Sequence, residues 1–138
     1  MRDNVIIDTG VLVAYFNRRE QWHSWAKVQL AKIQPPLLTC EAVIVETCFL
    51  LKNCYGAKDL IFGLIKSGNL VMPFNLEKEI GQIEFLMKCY ENIPMSLADA
   101  CLVRMSELNA GSCILTLDSD FQIYRKNNNQ VIDVITIV

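Results

Sequence analysis

The segment Val5-Ile-Ile-Asp-Thr-Gly10 indicates the fold class, because a short run of β-branched apolar residues ends in an acid and is followed by a helical pattern. An apolar run without polar alternation predicts a strand that is buried on both faces of a sheet. The segment Cys113-Ile-Leu-Thr-Leu-Asp118 repeats the pattern near the other end of the chain. Ligands bind beyond the carboxyl ends of the strands in open parallel sheets, so we expect Asp8 and Asp118 to mark a functional edge.

Helical patterns fill most of the sequence between these two strands. The helices are predicted at residues 11–16, 21–33, 41–52, 57–66, 76–91 and 96–109. Thr39 is the expected N-cap of the third helix, and further strands are expected at residues 70–72 and 131–138. Strands that alternate with helices indicate a small parallel sheet with helices on both faces, a three-layer α/β/α fold.

The composition indicates one ordered domain that spans residues 1–138. Hydrophobic residues make up 52% of the chain and charged residues 20%, which excludes a disordered chain. The net charge of −2 argues against a polybasic protein that coats nucleic acid or a membrane surface. It is compatible with a nucleic-acid enzyme whose acids gather at one place. The chain has no run of about 18 apolar residues, so we expect no membrane span.

The cysteines give no sign of a metal site. The six thiols include no pair with Cys-x-x-Cys spacing, and the chain has one histidine, so the ligands of a zinc ribbon or finger are lacking. Thiols scattered in this way are typical of a reduced protein of the cytoplasm. We therefore expect a cytoplasmic protein.

Two further acids lie among apolar neighbours. Glu46 is part of the helical segment Ala42-Val-Ile-Val-Glu-Thr-Cys-Phe-Leu-Leu51, where an ionised carboxylate is costly unless it is paired or bound to a metal ion. Its other interpretations are a position at the rim of the helix or an ion pair with a buried arginine. Asp99 belongs to Ser96-Leu-Ala-Asp99, which is also a capping-box pattern.

Asp8 and Asp118 have local interpretations too, as N-caps of the helix or turn that follows each strand. Taken together, the four acids could meet at one edge of the sheet. Carboxylates a few ångströms apart repel one another, and a raised pKa or a bound cation relieves the repulsion. A site made only of oxygen ligands suits Mg²⁺ or Mn²⁺ better than zinc.

The ordered segments that carry these acids resemble the motifs of PIN-domain nucleases of the VapC kind. They are Ile7-Asp-Thr-Gly10, Leu38-Thr39 through Glu46, Ser96-Leu-Ala-Asp-Ala100 and Leu115-Thr-Leu-Asp-Ser-Asp-Phe121. The resemblance covers essentially the whole chain. It implies a small parallel sheet flanked by helices, and a Mg²⁺- or Mn²⁺-dependent endoribonuclease that is commonly the toxin of a toxin–antitoxin pair. Gly10 stands where many relatives carry Ser or Asn, which removes one polar contact.

The resemblance also implies roles for single residues. The catalytic and metal-binding acids would be Asp8, Glu46, Asp99 and Asp118, with Asp120 as an accessory metal ligand. Asp8 and Asp118 would bind the ion directly, and the other two partly through water. Thr9 and Thr116 would be hydroxyls that orient the carboxylates or their waters. RNA would be the substrate and an antitoxin a protein partner.

Basic residues are the expected contacts to RNA phosphates. The candidates are Arg18, Arg19, Arg104, Arg125 and Lys126. Plain surface charge is the alternative for each of them, and Arg104 has Glu107 as an i,i+3 partner.

Other functions and partners stay open at this point. A PIN fold that binds RNA or protein without hydrolysis is the alternative function, although the intact set of four acids argues against it. A phosphatase with Asp8 as nucleophile is disfavoured, because Gly10 occupies the place of the second aspartate that such enzymes use. A mean hydropathy of +0.26 predicts apolar surface that a second copy or an antitoxin covers, on residues 11–33 and 41–66.

Overall fold

The computed structural model describes residues 1–138 and contains a parallel sheet of five short strands. The strands of the chain are β1 (Val5–Ile7), β2 (Leu37–Leu38), β3 (Leu70–Val71), β4 (Cys113–Leu115), β5 (Arg125–Lys126), β6 (Gln130–Val131) and β7 (Val134–Ile135). The sheet has the order β3-β2-β1-β4-β7, and β5 and β6 form a separate antiparallel hairpin. This topology places β1 and β4 side by side at the centre of the sheet, with Ile6 opposite Ile114.

Six α-helices accompany the sheet in a three-layer α/β/α arrangement, as the sequence predicts. They are α1 (Thr9–Phe16), α2 (His23–Ala31), α3 (Glu41–Leu50), α4 (Ala57–Lys66), α5 (Ile80–Cys89) and α6 (Leu97–Leu108). A short 3-10 helix, Ser119–Gln122, follows β4. The bounds of α4 agree with the predicted helix at 57–66. A helix of bilayer-spanning length and hydropathy is not found among them.

The core lies around the two central strands and α6. Every residue of β1 and β4 is buried, and α6 buries eight of its twelve residues. Strands covered on both faces need apolar side chains at every position, which explains the continuous runs in the sequence. The ladder extends one residue beyond β1, because the Asp8 N–H donates to the Leu115 carbonyl at 3.1 Å. Asp8 is therefore fixed in place by the sheet itself.

The predicted N-cap of α3 is wrong. Cys40 is the N-cap, and Thr39 continues strand β2 by donating its backbone N–H to the Val71 carbonyl at 3.0 Å. The Thr39 hydroxyl donates to the Ile7 carbonyl at 3.0 Å, across the neighbouring strand. Pairing within the sheet thus outweighs the local preference of threonine for a cap position.

Two predicted elements are shorter or divided in the structure. The helix expected at 76–91 begins only at Ile80, because turns occupy the residues before it. Ile80 is exposed, and Ile83 and Leu86 make the buried face of α5. The strand expected at 131–138 is split: Val131 pairs in the hairpin, and Val134–Ile135 joins the sheet beside β4.

Candidate active site

An open cavity of about 340 Å³ lies where β1 and β4 end, and all four acids of the predicted quartet line it. Asp8 comes from the end of β1, Glu46 from α3, Asp99 from α6 and Asp118 from the turn after β4. Thr9 and Gly10 line the same cavity. The structure thus brings together carboxylates that are separated by up to 110 residues along the sequence.

Asp8 is the most constrained of these acids. Its Oδ1 accepts a hydrogen bond from the Thr9 N–H at 2.7 Å, which makes Asp8 the N-cap of α1. Its Oδ2 accepts one from the Thr116 hydroxyl at 2.8 Å. The pKa of Asp8 is raised to about 6, mainly by burial; the two hydrogen bonds oppose the rise, and the charges of Asp99 and Asp118 add to it.

Thr116 links the two acids at the strand ends. Its hydroxyl donates to Asp8 Oδ2 and accepts from the Asp118 N–H at 2.9 Å. The side chain of Thr116 is fully buried. Thr116 therefore connects the Asp8 carboxylate to the Asp118 backbone, and its orienting role at the site stays a prediction.

Replacing Thr116 by Val tests this link, because valine keeps the shape and removes the hydroxyl. We expect Thr116→Val to lower the free energy of unfolding by about 2 kcal/mol, since the buried Asp8 carboxylate and the half-buried Asp118 N–H lose their partner. Urea unfolding at pH 7 measures the change. Thr47→Val is the matched control, because the equally buried Thr47 hydroxyl bonds only to the Val43 carbonyl of its own helix. Equal losses in the two variants would contradict a special role for Thr116.

Asp99 combines a capping role with a place in the cavity. It is the third residue of α6 and forms the predicted capping box with Ser96. Its Oδ2 accepts from the Ser96 N–H at 3.2 Å and from the Tyr124 hydroxyl at 3.3 Å. Burial raises the pKa of Asp99, and the charge of Asp118 adds to the effect. The capping role and the site role thus belong to the same side chain.

Asp118 caps the 3-10 helix, with its Oδ1 accepting from the Asp120 N–H at 2.9 Å. This confirms the predicted turn cap. Asp120 itself is half-buried and is not among the residues that line the cavity. Its role as an accessory metal ligand therefore stays a prediction.

Glu46 is exposed, so its apolar neighbours do not bury it, and the alternative interpretation as a position at the rim of the helix agrees with the structure. Val45 and Phe49 beside it are 70% and 62% exposed, so much of the apolar surface of α3 faces solvent instead of the core. Glu46 reaches the cavity from its rim. Glu20, in the connection between α1 and α2, also lines the cavity. Nothing in the sequence distinguishes Glu20, because a charged break between two helices is typical of any surface loop.

The ligands that the cavity offers are all oxygen atoms, which is the set that Mg²⁺ and Mn²⁺ prefer. No group of three or more His, Cys, Asp or Glu side chains is placed closely enough to hold one ion directly. Mg²⁺ commonly uses only one or two carboxylates and keeps several waters, so this spacing fits an ion bound partly through water. The Thr9 hydroxyl is buried at the cavity without a hydrogen-bond partner. Such an orphaned group fits a bound water or ligand.

The basic residues predicted to contact phosphates differ in whether they already have partners within the protein. Arg104 makes ion pairs with Glu79 at 2.6 Å and Glu107 at 3.1 Å, which agrees with its i,i+3 interpretation. Arg125 donates through Nη1 to three backbone carbonyls of residues 122–124. Arg18 and Arg19 are exposed, and they line a second cavity that shares Leu50 with the acidic one.

The last candidate, Lys126, is half-buried in the hairpin. Arg18 and Arg19 are therefore the basic side chains that lie next to the acidic cavity without a carboxylate partner.

Comparisons with known proteins agree with this architecture. The chain matches the PIN domain family over residues 5–127. Among solved structures, it is similar to the crystal structure of VapC20 from Mycobacterium tuberculosis, described as a sarcin–ricin loop cleaving toxin. The two share 22% sequence identity and superpose with a TM-score of 0.72, over 86% of this chain and 93% of VapC20. No curated protein gave a significant sequence match. The family match covers most of the chain, and this protein belongs to the PIN domain family.

Proposed function

We propose that this protein is a divalent-metal-dependent endoribonuclease, and the toxin of a toxin–antitoxin pair in the cytoplasm. The observation that carries the proposal is the convergence of Asp8, Glu46, Asp99 and Asp118 on one open cavity at the strand ends. Membership of the PIN domain family supports nuclease chemistry, and the similar VapC20 structure is of a toxin that cleaves RNA. The substrate class that we propose is therefore RNA.

In the proposed site, Asp8 and Asp118 would hold Mg²⁺ or Mn²⁺, and Glu46 and Asp99 would be the further carboxylates beside the ion. The chemistry supplied by a bound ion is a lowered pKa for an attacking water and neutralised charge on the phosphate. Thr116 keeps the two direct ligands oriented, and Thr9 offers its unpartnered hydroxyl to a water at the same place.

Charge at the cavity decides how RNA binds. An empty cluster of four carboxylates repels a phosphodiester, so we expect RNA to bind productively only after the cation. Arg18 and Arg19 contact neighbouring phosphates, because they lie beside the acidic cavity and have no carboxylate partner. In this proposal, Arg18 and Arg19 bind phosphates of the RNA backbone, and the phosphodiester bond is cleaved at the neighbouring acidic cavity.

The test is cleavage of total RNA by the purified protein with Mg²⁺, with Mn²⁺ and with EDTA. We expect defined fragments with either metal and none with EDTA. Asp118→Asn prepared in the same way excludes a contaminating nuclease, and Asp3→Asn is its matched control, because Asp3 is exposed and makes no side-chain contact to the site. Cleavage that survives EDTA, or that Asp118→Asn retains in full, would contradict the proposal.

A folded protein that binds RNA and cleaves none of it under any metal would favour the alternative, a PIN-fold binding module. Gel-shift measurements on the same RNA with and without metal separate that outcome from an inert protein. The complete set of four acids at the cavity favours the nuclease.

The exposed apolar surface supports a protein partner. Large apolar side chains of α3 and α4 face solvent, among them Val45, Phe49, Leu50, Leu60 and Phe62. Leu50 and Leu60 line the same cavity, and large exposed apolar patches are typical of interaction sites. We propose that an antitoxin or a second copy of the chain covers it, as expected for residues 41–66. Static light scattering distinguishes the two, since a second copy doubles the mass of the purified protein.

A further inference from the structure

Tyr124 is a fully buried residue that lies behind the acidic cavity without lining it. It follows the 3-10 helix and packs edge-on against two aromatic rings, Tyr90 at 5.1 Å and Phe121 at 5.4 Å between centroids. These contacts fix the direction of the ring. The hydroxyl at its end donates to Asp99 Oδ2 at 3.3 Å.

The surroundings of this hydroxyl keep it a donor. Burial raises the pKa of Tyr124, and the nearby charges of Asp99, Asp120 and Asp118 raise it further. The hydrogen bond itself runs from the Tyr124 hydroxyl to Asp99 Oδ2. A protonated phenol in contact with a carboxylate can act only as the donor of that hydrogen bond.

The two carboxylate oxygens of Asp99 differ in their hydrogen-bond partners. Both donors that reach this carboxylate, the Ser96 N–H and the Tyr124 hydroxyl, bind the same atom, Oδ2. Oδ1 has no donor from the protein, and Asp99 lines the cavity. The terminal torsion of an aspartate is soft, so a single donor would let the carboxylate rotate. Two donors from different directions hold it with one oxygen bound to the protein and the other available to a ligand.

We propose that Tyr124 is a positioning residue: its hydroxyl holds Asp99 so that Oδ1 is presented to the divalent cation of the cavity. The inference rests on the proposed function, because the orientation of Asp99 matters only if the cavity binds a cation. The aromatic cluster around Tyr124 then has a role in the site as well as in packing.

The test is Mn²⁺ binding to the full chain, measured by isothermal titration calorimetry without RNA. We expect Tyr124→Phe to weaken Mn²⁺ binding about tenfold, the effect of one hydrogen bond to a charged group. Tyr90→Phe is the matched control, because its ring belongs to the same cluster and its hydroxyl accepts from the Arg125 N–H at 2.8 Å without touching an acid. We expect Tyr90→Phe to leave the affinity within twofold of the wild-type value.

A second measurement separates positioning from structure. The unfolding midpoint in EDTA reports any loss of packing, which we expect to be similar in the two phenylalanine variants. In RNA cleavage at saturating Mn²⁺, Tyr124→Phe should lower kcat and leave the KM for RNA unchanged. In an Asp99→Asn background, Tyr124→Phe should cause no further loss of Mn²⁺ affinity, because the carboxylate that it positions is gone.

The outcomes distinguish this inference from the function on which it rests. Wild-type affinity in Tyr124→Phe, or an equal loss in Tyr90→Phe, overturns the positioning role while the nuclease stands. A wild-type protein that binds no Mn²⁺ and cleaves no RNA overturns the proposed function and this inference with it. A selective loss in Tyr124→Phe that disappears in the Asp99→Asn background supports the inference.

Discussion

Replacing Asp8 by Asn should reduce metal-dependent RNA cleavage by about a thousandfold, which corresponds to roughly 4 kcal/mol of lost transition-state stabilisation. The amide keeps the volume of the carboxyl group and can still accept from the Thr9 N–H, so the cap of α1 survives. It removes the negative charge at the end of β1, where Asp8 is the proposed direct ligand of the cation. Initial rates on a defined RNA at saturating Mn²⁺ measure the loss.

The control for this variant is Asp3→Asn, the same substitution at an exposed position away from the cavity. It should cleave RNA at the wild-type rate. Calorimetry should also show that Asp8→Asn binds Mn²⁺ far more weakly. A variant that loses its Mn²⁺ affinity and keeps its activity would remove Asp8 from the proposed chemistry.

The stability of the metal-free protein should fall as the pH rises from about 4 to about 6. Asp8 releases its proton near 3.8 in the unfolded chain and near 6 in the folded protein, because burial disfavours its charged form. Between these values the folded state binds more protons, so a rising pH favours unfolding. The difference between these two pKa values corresponds to about 3 kcal/mol of stability. This stability is lost between pH 4 and 6, and no further loss from Asp8 occurs above pH 6.

Urea unfolding at pH 4, 5, 6 and 7 in EDTA measures this dependence. Other titrating groups contribute as well, so the informative quantity is the difference between wild type and Asp8→Asn. We expect the variant to lack the decrease. The difference in free energy of unfolding between the variant and the wild type should therefore shift by about 3 kcal/mol in favour of the variant from pH 4 to pH 7. Mn²⁺ added at pH 7 should restore stability to the wild type only. If the free energies of unfolding of the two proteins in EDTA changed in parallel with pH, folding would not raise the pKa of Asp8.

The acids at the cavity show why a local and a functional interpretation of one residue need not compete. Asp8 caps α1, Asp99 closes the capping box of α6 and Asp118 caps the 3-10 helix, as their sequence contexts predict. In each cap a backbone N–H donates to a carboxylate of a residue that also lines the cavity. The local role therefore orients the group for the site.

Features that depend on neighbours along the chain are predictable from the sequence. The apolar runs of β1 and β4, the bounds of α4 and the Ser96–Asp99 capping box follow from short-range hydrogen bonds and side-chain periodicity. The order of the acidic motifs was sufficient to indicate a resemblance to the PIN-domain nucleases, and the family match confirms it.

Which groups meet across the molecule depends on how the elements pack together. The apolar composition of α3 predicts burial for Glu46, yet the helix exposes much of that surface, because composition cannot tell a core from a surface that a partner covers. Glu20 and Tyr124 carry no sequence signal, since their contacts cross from one element to another. Asp8 and Asp118 meet because β1 pairs with β4 at the centre of the sheet, and strand order is set by the packing of the whole core.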